Sequence, residues 1–184
     1  APLDPLAARQ WYLEDINVLP IWSDYSGKGV RIGQFEPGGR FAVSPEIFDI
    51  QHPDLQANVD QAWLQTQRSS GVMPTVVSNH ATQVAGVMVA ARNTEGGIGI
   101  AYEATLGGHY LANSGADLTR LGQMINYDVA NNSWGFVNDF ALTSLQGGLI
   151  NTSTALAANA RYAAGNGRGG LGTIIVASGG NAPV

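Results

Sequence analysis

Residues 29–35 read Gly-Val-Arg-Ile-Gly-Gln-Phe and follow the turn sequence Ser-Gly-Lys-Gly at residues 26–29. A short, mostly apolar run bounded by turn residues predicts a buried strand. Strand-like and helix-like segments then alternate along the chain, which is typical of a parallel sheet with crossover helices. We therefore predict a doubly wound α/β fold, with a mostly parallel sheet flanked by helices. The expected helices cover residues 82–91, 117–126 and 151–164, and the further strands cover residues 105–111, 127–134 and 173–177.

The composition limits the classes of function. The chain has 184 residues, 45% of them hydrophobic and 12% charged, which is enough to bury a sizeable core. Its net charge of −5 and the lack of a basic block argue against nucleic acid as a partner. It has no cysteine, so disulfides and thiolate metal sites are excluded. No apolar run approaches the roughly 18 residues of a membrane span.

The chain begins Ala-Pro-Leu and shows no positively charged, apolar leader. This beginning is what we expect of a mature chain from which a secretion signal has been removed. We therefore expect a secreted or extracytoplasmic protein.

Polar groups stand at the carboxyl ends of the predicted strands, where doubly wound folds bind their ligands. Glu36 ends the first strand, Ser-Trp-Gly at residues 133–135 ends a later one, and Asn181 follows the last. The histidine that could act with them is His80, which is followed by the small residues of the run 81–86, Ala-Thr-Gln-Val-Ala-Gly. Such a run can start a helix with the imidazole facing outward, as a general base requires.

These segments resemble the front part of a subtilase catalytic domain, closest to the kexin and furin branch. The run from His80 resembles the family motif His-Gly-Thr-x-Val-Ala-Gly, with Ala81 in place of the glycine. The resemblance implies a serine endopeptidase with His80 as its general base, and residues 1–184 as the amino-terminal part of a single catalytic domain. The resemblance rests on four blocks of sequence that occur in the family's order. They are residues 4–5 with 10–13, residues 27–38 with 52–55, residues 80–102, and residues 169–181.

The resemblance places Glu36 where the family has the aspartate that orients the histidine. A glutamate can make the same carboxylate to N–H hydrogen bond, although its extra methylene must be accommodated. Asp49 is a rival, because it lies in residues 39–51, a stretch longer than the family usually has. We favour Glu36, which ends the apolar strand at the expected spacing, and predict that it lies within hydrogen-bond reach of His80.

The nucleophile motif of the family, Gly-Thr-Ser-x-Ala, is absent from this sequence. In the family it follows an asparagine that Asn181 matches, whose amide would stabilise the oxyanion by about 3 kcal/mol. Ser153 lies in a similar run, Asn-Thr-Ser-Thr-Ala, but that run lacks the glycine and precedes Asn181. We therefore expect the serine on a continuation or partner fragment of the same domain. The chain alone should be inactive and should expose apolar surface where the rest of the sheet belongs.

The segment Ser133, Trp134 and Gly135 resembles the one whose backbone pairs with an extended peptide substrate as an added strand. The alternative is a strand end with a tryptophan packed in the core. Just beyond it, Asn138 holds the position at which basic-specific relatives place an acidic group near the P1 side chain, and Asp139 follows. An amide cannot give arginine a bidentate ion pair, so we predict weaker selectivity for arginine at P1.

The loop of residues 91–97 lines up without a gap on a calcium loop of the family. Calcium takes several oxygen ligands, from carboxylates, amides and backbone carbonyls. The alternative is an ordinary solvated polar loop. The resemblance implies Ca²⁺ ligands from the side chains of Asp4, Asp54 and Asn93 and from the carbonyls of Ala91, Glu95 and Gly97.

Other motifs are weaker. We interpret His52 and His109 as structural residues, and a catalytic zinc has little support because no His-Glu-x-x-His motif occurs. The glycine-rich run 165–170 precedes a strand and lacks the Gly-Lys-Ser/Thr ending, which argues against a nucleotide-binding domain. An alternative stays open: an inactive subtilase-like module that holds calcium and binds peptides or partners. The Glu36 substitution and the missing serine motif favour it.

Overall fold

The computed structural model describes residues 4–37, 46–71, 76–111, 117–134 and 147–179. Helices and strands alternate along much of this chain. The strands are β1 Arg31–Pro37, β2 Glu46–Ile47, β3 Val76–Val77, β4 Thr105–Leu111, β5 Val129–Asn132 and β6 Ile174–Ala177. The α-helices are α1 Tyr12–Asp15, α2 Gln61–Ser70, α3 Asn79–Val89 and α4 Gly147–Asn166. The 3₁₀ helices are Ala7–Arg9, Leu19–Ser23, Gln56–Asn58, Asp117–Asn126 and Arg168–Gly170.

The principal sheet has four strands in the order β4-β1-β5-β6, and β2 and β3 form a separate pair. β5 and β6 are parallel, with Val129 opposite Ile174 and Asn132 opposite Ala177. The chain moves from β1 to β4 on one side and later to β5 and β6 on the other. This reversal makes the carboxyl ends of β1 and β5 a topological switch point, the usual ligand position in such sheets. The predicted mostly parallel α/β fold is confirmed.

The chain divides into two compact units, one of Ala1–Ile32 with Ile47–Gly107 and the other of Gly33–Glu46 with Gly108–Val184. In the first unit, Leu13 and Ile98 are fully enclosed in a small core cluster. In the second, Phe35 packs with Met124 and Tyr127. Each unit therefore has an apolar core of its own.

Helix α3 begins three residues before the predicted start at residue 82. The hydroxyl of Ser78 caps it by accepting a hydrogen bond from the backbone N–H of Ala81 at 3.2 Å. Ala81, Ala85 and Val89 are buried at a spacing of four residues, so one face of the helix packs inward. Because the cap lies at Ser78, His80 belongs to the first turn.

Several predicted boundaries were wrong. The strand predicted over residues 127–134 is only β5, and α4 extends to Asn166, beyond the turn predicted from residue 165. The helix expected over residues 117–126 has those bounds but is a 3₁₀ helix. None of the helices in the described part of the chain is long and apolar enough to cross a membrane.

Among the described strands β6 lies at one edge of the sheet, and the side chains on one of its faces are exposed. Ile174 is 54% and Val176 is 46% accessible, and nearby Leu171 is also exposed. Parallel strands are normally buried on both faces, because crossover helices cover them. An exposed apolar edge of this kind is a surface suited to further packing.

Candidate active site

His80 lies in the first turn of α3, and its side chain is exposed. Two hydrogen bonds from backbone N–H groups hold this end of the helix. The N–H of Ser78 donates to the carbonyl of Ile47 at 2.9 Å, and the N–H of Asp49 donates to the hydroxyl of Thr82 at 2.9 Å. The helix start is therefore anchored to the segment around β2, while the imidazole stays accessible, as a general base requires.

Asp49, the rival for the orienting role, is half-buried near the start of α3. Its Oδ1 accepts a hydrogen bond from the N–H of Gln51 at 2.9 Å, which closes a local turn. This is an ordinary role for an aspartate in a loop. One oxygen of the rival carboxylate is thus occupied by its own turn.

Glu36 lies near the carboxyl end of β1 and is only 4% exposed. Gly33 and Phe35, earlier in the same strand, face the core of the second unit. A Cβ on Gly33 would come within 2.5 Å of the Tyr127 ring. The ring of Phe35 contacts the same tyrosine edge-on. Because side chains alternate along a strand, Glu36 and Gln34 share the opposite face. The Nε2 of Gln34 donates a hydrogen bond to Oε1 of Glu36 at 3.3 Å.

The end of β5 is fixed to the end of β6. The N–H of Ser178 donates to the carbonyl of Asn132 at 3.0 Å, and its hydroxyl donates to the carbonyl of Trp134 at 2.7 Å. The amide of buried Asn132 donates to the carbonyl of Val176 at 3.2 Å, and that of Asn131 to the hydroxyl of Ser133 at 2.8 Å. The Ser133–Trp134 backbone is therefore held in place beyond the strand.

Trp134 is half-buried and packs against the core of the second unit. Its side chain is therefore a packed tryptophan at a strand end, as the alternative interpretation of the sequence expected. Three predicted site residues, Gly135, Asn138 and Asn181, lie outside the described residues. Ser153 lies within α4.

Asp4, Asp54 and the loop of residues 91–97, which were predicted to bind calcium, are linked by hydrogen bonds in the first unit. Oδ1 of Asp4 accepts from the N–H groups of Asn93, at 3.1 Å, and Thr94. Oδ2 of Asp54 accepts from the N–H of Gly97 at 3.1 Å. The amide of Asn93 donates to the carbonyl of Pro53, and its oxygen accepts from the N–H of Glu95 at 2.9 Å. The backbone N–H of Ala91 donates to the carbonyl of Asp54 at 2.7 Å.

Two buried carboxylates therefore flank one loop. Oδ2 of Asp4 and Oδ1 of Asp54 are enclosed, and neither makes a hydrogen bond within the described chain. The backbone at Gly96 passes so close to the Asp54 carboxylate that a Cβ there would collide with it. Thr94 has φ of 71°, a conformation uncommon for a β-branched residue. Among the described residues, no group of three or more His, Cys, Asp or Glu side chains is arranged to hold a metal ion.

The two other histidines have structural contacts. Nδ1 of His52 accepts from the N–H of Asp54 at 3.2 Å. His109 is buried, its Nε2 is 2.7 Å from the hydroxyl of Tyr127, and its ring stacks on Phe35 at 4.8 Å between centroids. Burial, with a smaller contribution from the positive charge of Arg120, lowers the pKa of His109 from 6.5 to about 4.

The sequence interpretation missed two contacts at the candidate site. Gln34 bonds Glu36, and a signal was present, since a polar residue two positions before the carboxylate on a strand shares its face. The hydroxyl of Ser178 donates to the carbonyl of Trp134. No local sequence pattern predicts this contact, because 44 residues separate the two groups.

Comparisons with known proteins show similarity to one family of peptidases. The model of the Subtilase family of peptidases matches residues 41–183. The chain is 31% identical over 199 residues to Furin-1 of Xenopus laevis, in an alignment that covers 98% of this chain and 23% of the relative. It is 30% identical over 196 residues to Furin-like protease 2 of Drosophila melanogaster, covering 97% of this chain and 11% of that protein.

Among solved structures, the crystal structure of a serine protease of Aeromonas sobria superposes with a TM-score of 0.64 at 24% sequence identity. The superposition covers 91% of this chain and 31% of that structure, and it supports the fold. The chain spans less than a quarter of the length of both curated relatives.

Proposed function

Because this chain belongs to the subtilase family, we propose that it forms the base-bearing part of a serine endopeptidase catalytic domain. His80 acts as the general base, Glu36 orients it, and Asn181 donates to the oxyanion. The nucleophilic serine belongs to the remaining part of the same domain. The observation that carries the proposal is a buried carboxylate, Glu36, at the switch point between β1 and β5. Burying a carboxylate is costly, and such cost is typical of functional sites.

The proposed chemistry follows from the residue types. The serine attacks the scissile carbonyl while the imidazole of His80 takes its proton and later gives it to the leaving amine. The carboxylate of Glu36 holds the tautomer that accepts this proton and stabilises the imidazolium that forms. The side-chain amide of Asn181 donates a hydrogen bond to the developing oxyanion.

The proposed substrate is an extended peptide that pairs with the backbone of Ser133, Trp134 and Gly135. The contacts of Ser178 support this role, because they restrain the backbone carbonyls of Asn132 and Trp134 on either side of Ser133. Such preorganisation lowers the entropy that binding must overcome. Asn138 would then lie toward the P1 side chain.

The proposed function is tested in the complete protease by Glu36→Gln, which keeps the shape of the side chain and removes its charge. We expect kcat to fall on the order of 10³- to 10⁴-fold, as when an orienting carboxylate is lost from a Ser-His-Asp triad. His80→Ala should cost at least as much. Asp49→Asn is the matched control and should retain activity. If Glu36→Gln were fully active and Asp49→Asn inactive, the residue that orients His80 would be Asp49 and not Glu36.

A second experiment separates the protease from the inactive binding module. The purified 184-residue chain should not hydrolyse a chromogenic peptide, because its nucleophile is missing. Hydrolysis that disappears on Ser153→Ala would instead identify Ser153 as a nucleophile. A complete protein that binds peptides but does not cleave them, with His80 and Glu36 intact, would support the inactive module.

We further propose that the loop of residues 91–97 holds Ca²⁺ together with Asp4 and Asp54. The free oxygens of these two buried carboxylates support the proposal, because a buried anion needs a compensating charge. An oxygen-only donor set suits a hard cation. The ion would join the amino-terminal segment to the loop after α3, and its contribution would be to stability. The ligands would be the side chains of Asp4, Asp54 and Asn93 and the carbonyls of Ala91, Glu95 and Gly97.

The proposed partner is the serine-bearing remainder of the domain, packed along β6. The exposed Ile174 and Val176 at this sheet edge support that position. We also propose a secreted or extracytoplasmic location. The lack of cysteine is compatible with this location as with any other compartment.

A further inference from the structure

Gln34 and Glu36 form a buried polar pair on one face of β1. Gln34 is 1% exposed and Glu36 is 4% exposed. The intervening residue, Phe35, points the other way, into the apolar core against Tyr127. Burying an amide costs free energy that an apolar side chain at position 34 would not incur. The amide therefore calls for a functional explanation.

The hydrogen bond between them gives that explanation. Nε2 of Gln34 donates to Oε1 of Glu36 at 3.3 Å. A bond to a charged acceptor is stronger than a neutral one, and burial strengthens it further. The hydrogen bond restrains Oε1 of Glu36. Because both oxygens of a carboxylate belong to one planar group, it also limits the positions that Oε2 can take.

A glutamate in an aspartate's role benefits from such a contact. Its side chain has one more rotatable bond, so its carboxylate has more orientations to lose before it can hold an imidazole. An orienting carboxylate is useful only when its position is fixed to within about 0.5 Å. An amide that bonds Oε1 reduces this freedom for the whole carboxylate group.

We propose that Gln34 is a positioning residue, which fixes the carboxylate of Glu36 so that Glu36 can orient His80. The inference rests on the proposed function, since it assumes that Glu36 orients the base. In this proposal Gln34 makes no contact with the substrate or the reacting atoms. Its effect on catalysis passes entirely through Glu36.

The test uses the complete protease with Gln34→Met, which keeps the length of the side chain and removes its donor. We expect kcat to fall roughly tenfold to a hundredfold, the effect of losing a hydrogen bond to a charged group, while KM changes less than about twofold. In a Glu36→Gln background the same substitution should lower kcat less than about twofold further, because the carboxylate to be positioned is already gone.

Gln34→Glu is the second variant, because it is isosteric and its carboxylate cannot donate at neutral pH. It should lose at least as much kcat as Gln34→Met. Thr173→Val is the matched control for general destabilisation. Thr173 is also buried in the second unit, where its hydroxyl donates to the carbonyl of Tyr127 at 2.8 Å. We expect it to lower the melting temperature and leave kcat unchanged.

The outcomes are distinguishable. Full kcat in Gln34→Met or in Gln34→Glu overturns the inference while an inactive Glu36→Gln enzyme leaves the proposed function standing. An equal loss of kcat from Gln34→Met with and without Glu36 also overturns it, because Gln34 would then act independently. An active Glu36→Gln enzyme overturns the proposed function itself.

Discussion

Buried His109 should make the stability of this protein depend on pH. Its ring stacks on Phe35, its Nε2 lies 2.7 Å from the hydroxyl of Tyr127, and the charge of Arg120 is nearby. Burial lowers the pKa of His109 from 6.5 to about 4 in the folded protein. The unfolded chain therefore takes up a proton as the pH falls through 6.5, while the folded protein stays neutral until about pH 4. The contribution of His109 to the free energy of unfolding is therefore complete above pH 6.5 and is lost as the pH falls from 6.5 to about 4.

The size of the loss follows from the displacement of the pKa. Each unit corresponds to about 1.4 kcal/mol, so the free energy of unfolding should fall by about 3 kcal/mol between pH 6.5 and 4. The assay is urea unfolding at several pH values in this range, for the wild type and for His109→Gln. Glutamine can still bond the hydroxyl of Tyr127 but does not titrate.

The difference between the two proteins isolates His109 from the carboxylates, which also titrate in this range. We expect the wild type to lose stability more steeply than His109→Gln toward acid pH. Parallel pH profiles would refute the reasoning, since they would mean that His109 takes up its proton equally in the folded and unfolded states.

The remaining predictions concern metal binding, packing and specificity. The melting temperature should rise with calcium, by a stabilisation of about 2.7 kcal/mol at a calcium concentration of 100 times Kd; the rise should vanish in Asp54→Asn, and an equal rise in that variant would place the ion elsewhere. Gly33→Ala should cost about 1–3 kcal/mol in urea unfolding, because its Cβ would meet the Tyr127 ring at 2.5 Å, whereas Gly86→Ala, with open space around it in α3, should be neutral or stabilising. A peptide-library profile of the complete protease should show weaker selectivity for arginine at P1 than in basic-specific relatives, and strong arginine preference that survives Asp139→Asn would contradict the loop interpretation.

Local sequence patterns predicted much of the fold. The strand expected over residues 105–111 has those bounds in β4, and the strand expected over residues 173–177 differs from β6 by one residue. Apolar runs bounded by turns identify strands because the signal lies within the segment itself. Helix α2 was missed, although Asp60 caps it by accepting from the N–H of Trp63 at 3.0 Å. Its buried side chains, Trp63 and Leu64, are too few to produce a strong apolar period.

At the candidate site, too, some features follow from local sequence and others only from the tertiary structure. Sequence by itself determined which groups stand at strand ends and helix starts, as with Glu36 on β1 and His80 on α3, because those positions depend on near neighbours in the chain. Only the tertiary structure decided that Asp4, some 90 residues from the loop of residues 91–97, bonds its backbone. It also decided that Gln34 engages the carboxylate of Glu36, since a strand pattern gives the face of a side chain but not its rotamer or its partner. Such contacts form only when packing fixes side chains that the unfolded chain leaves free.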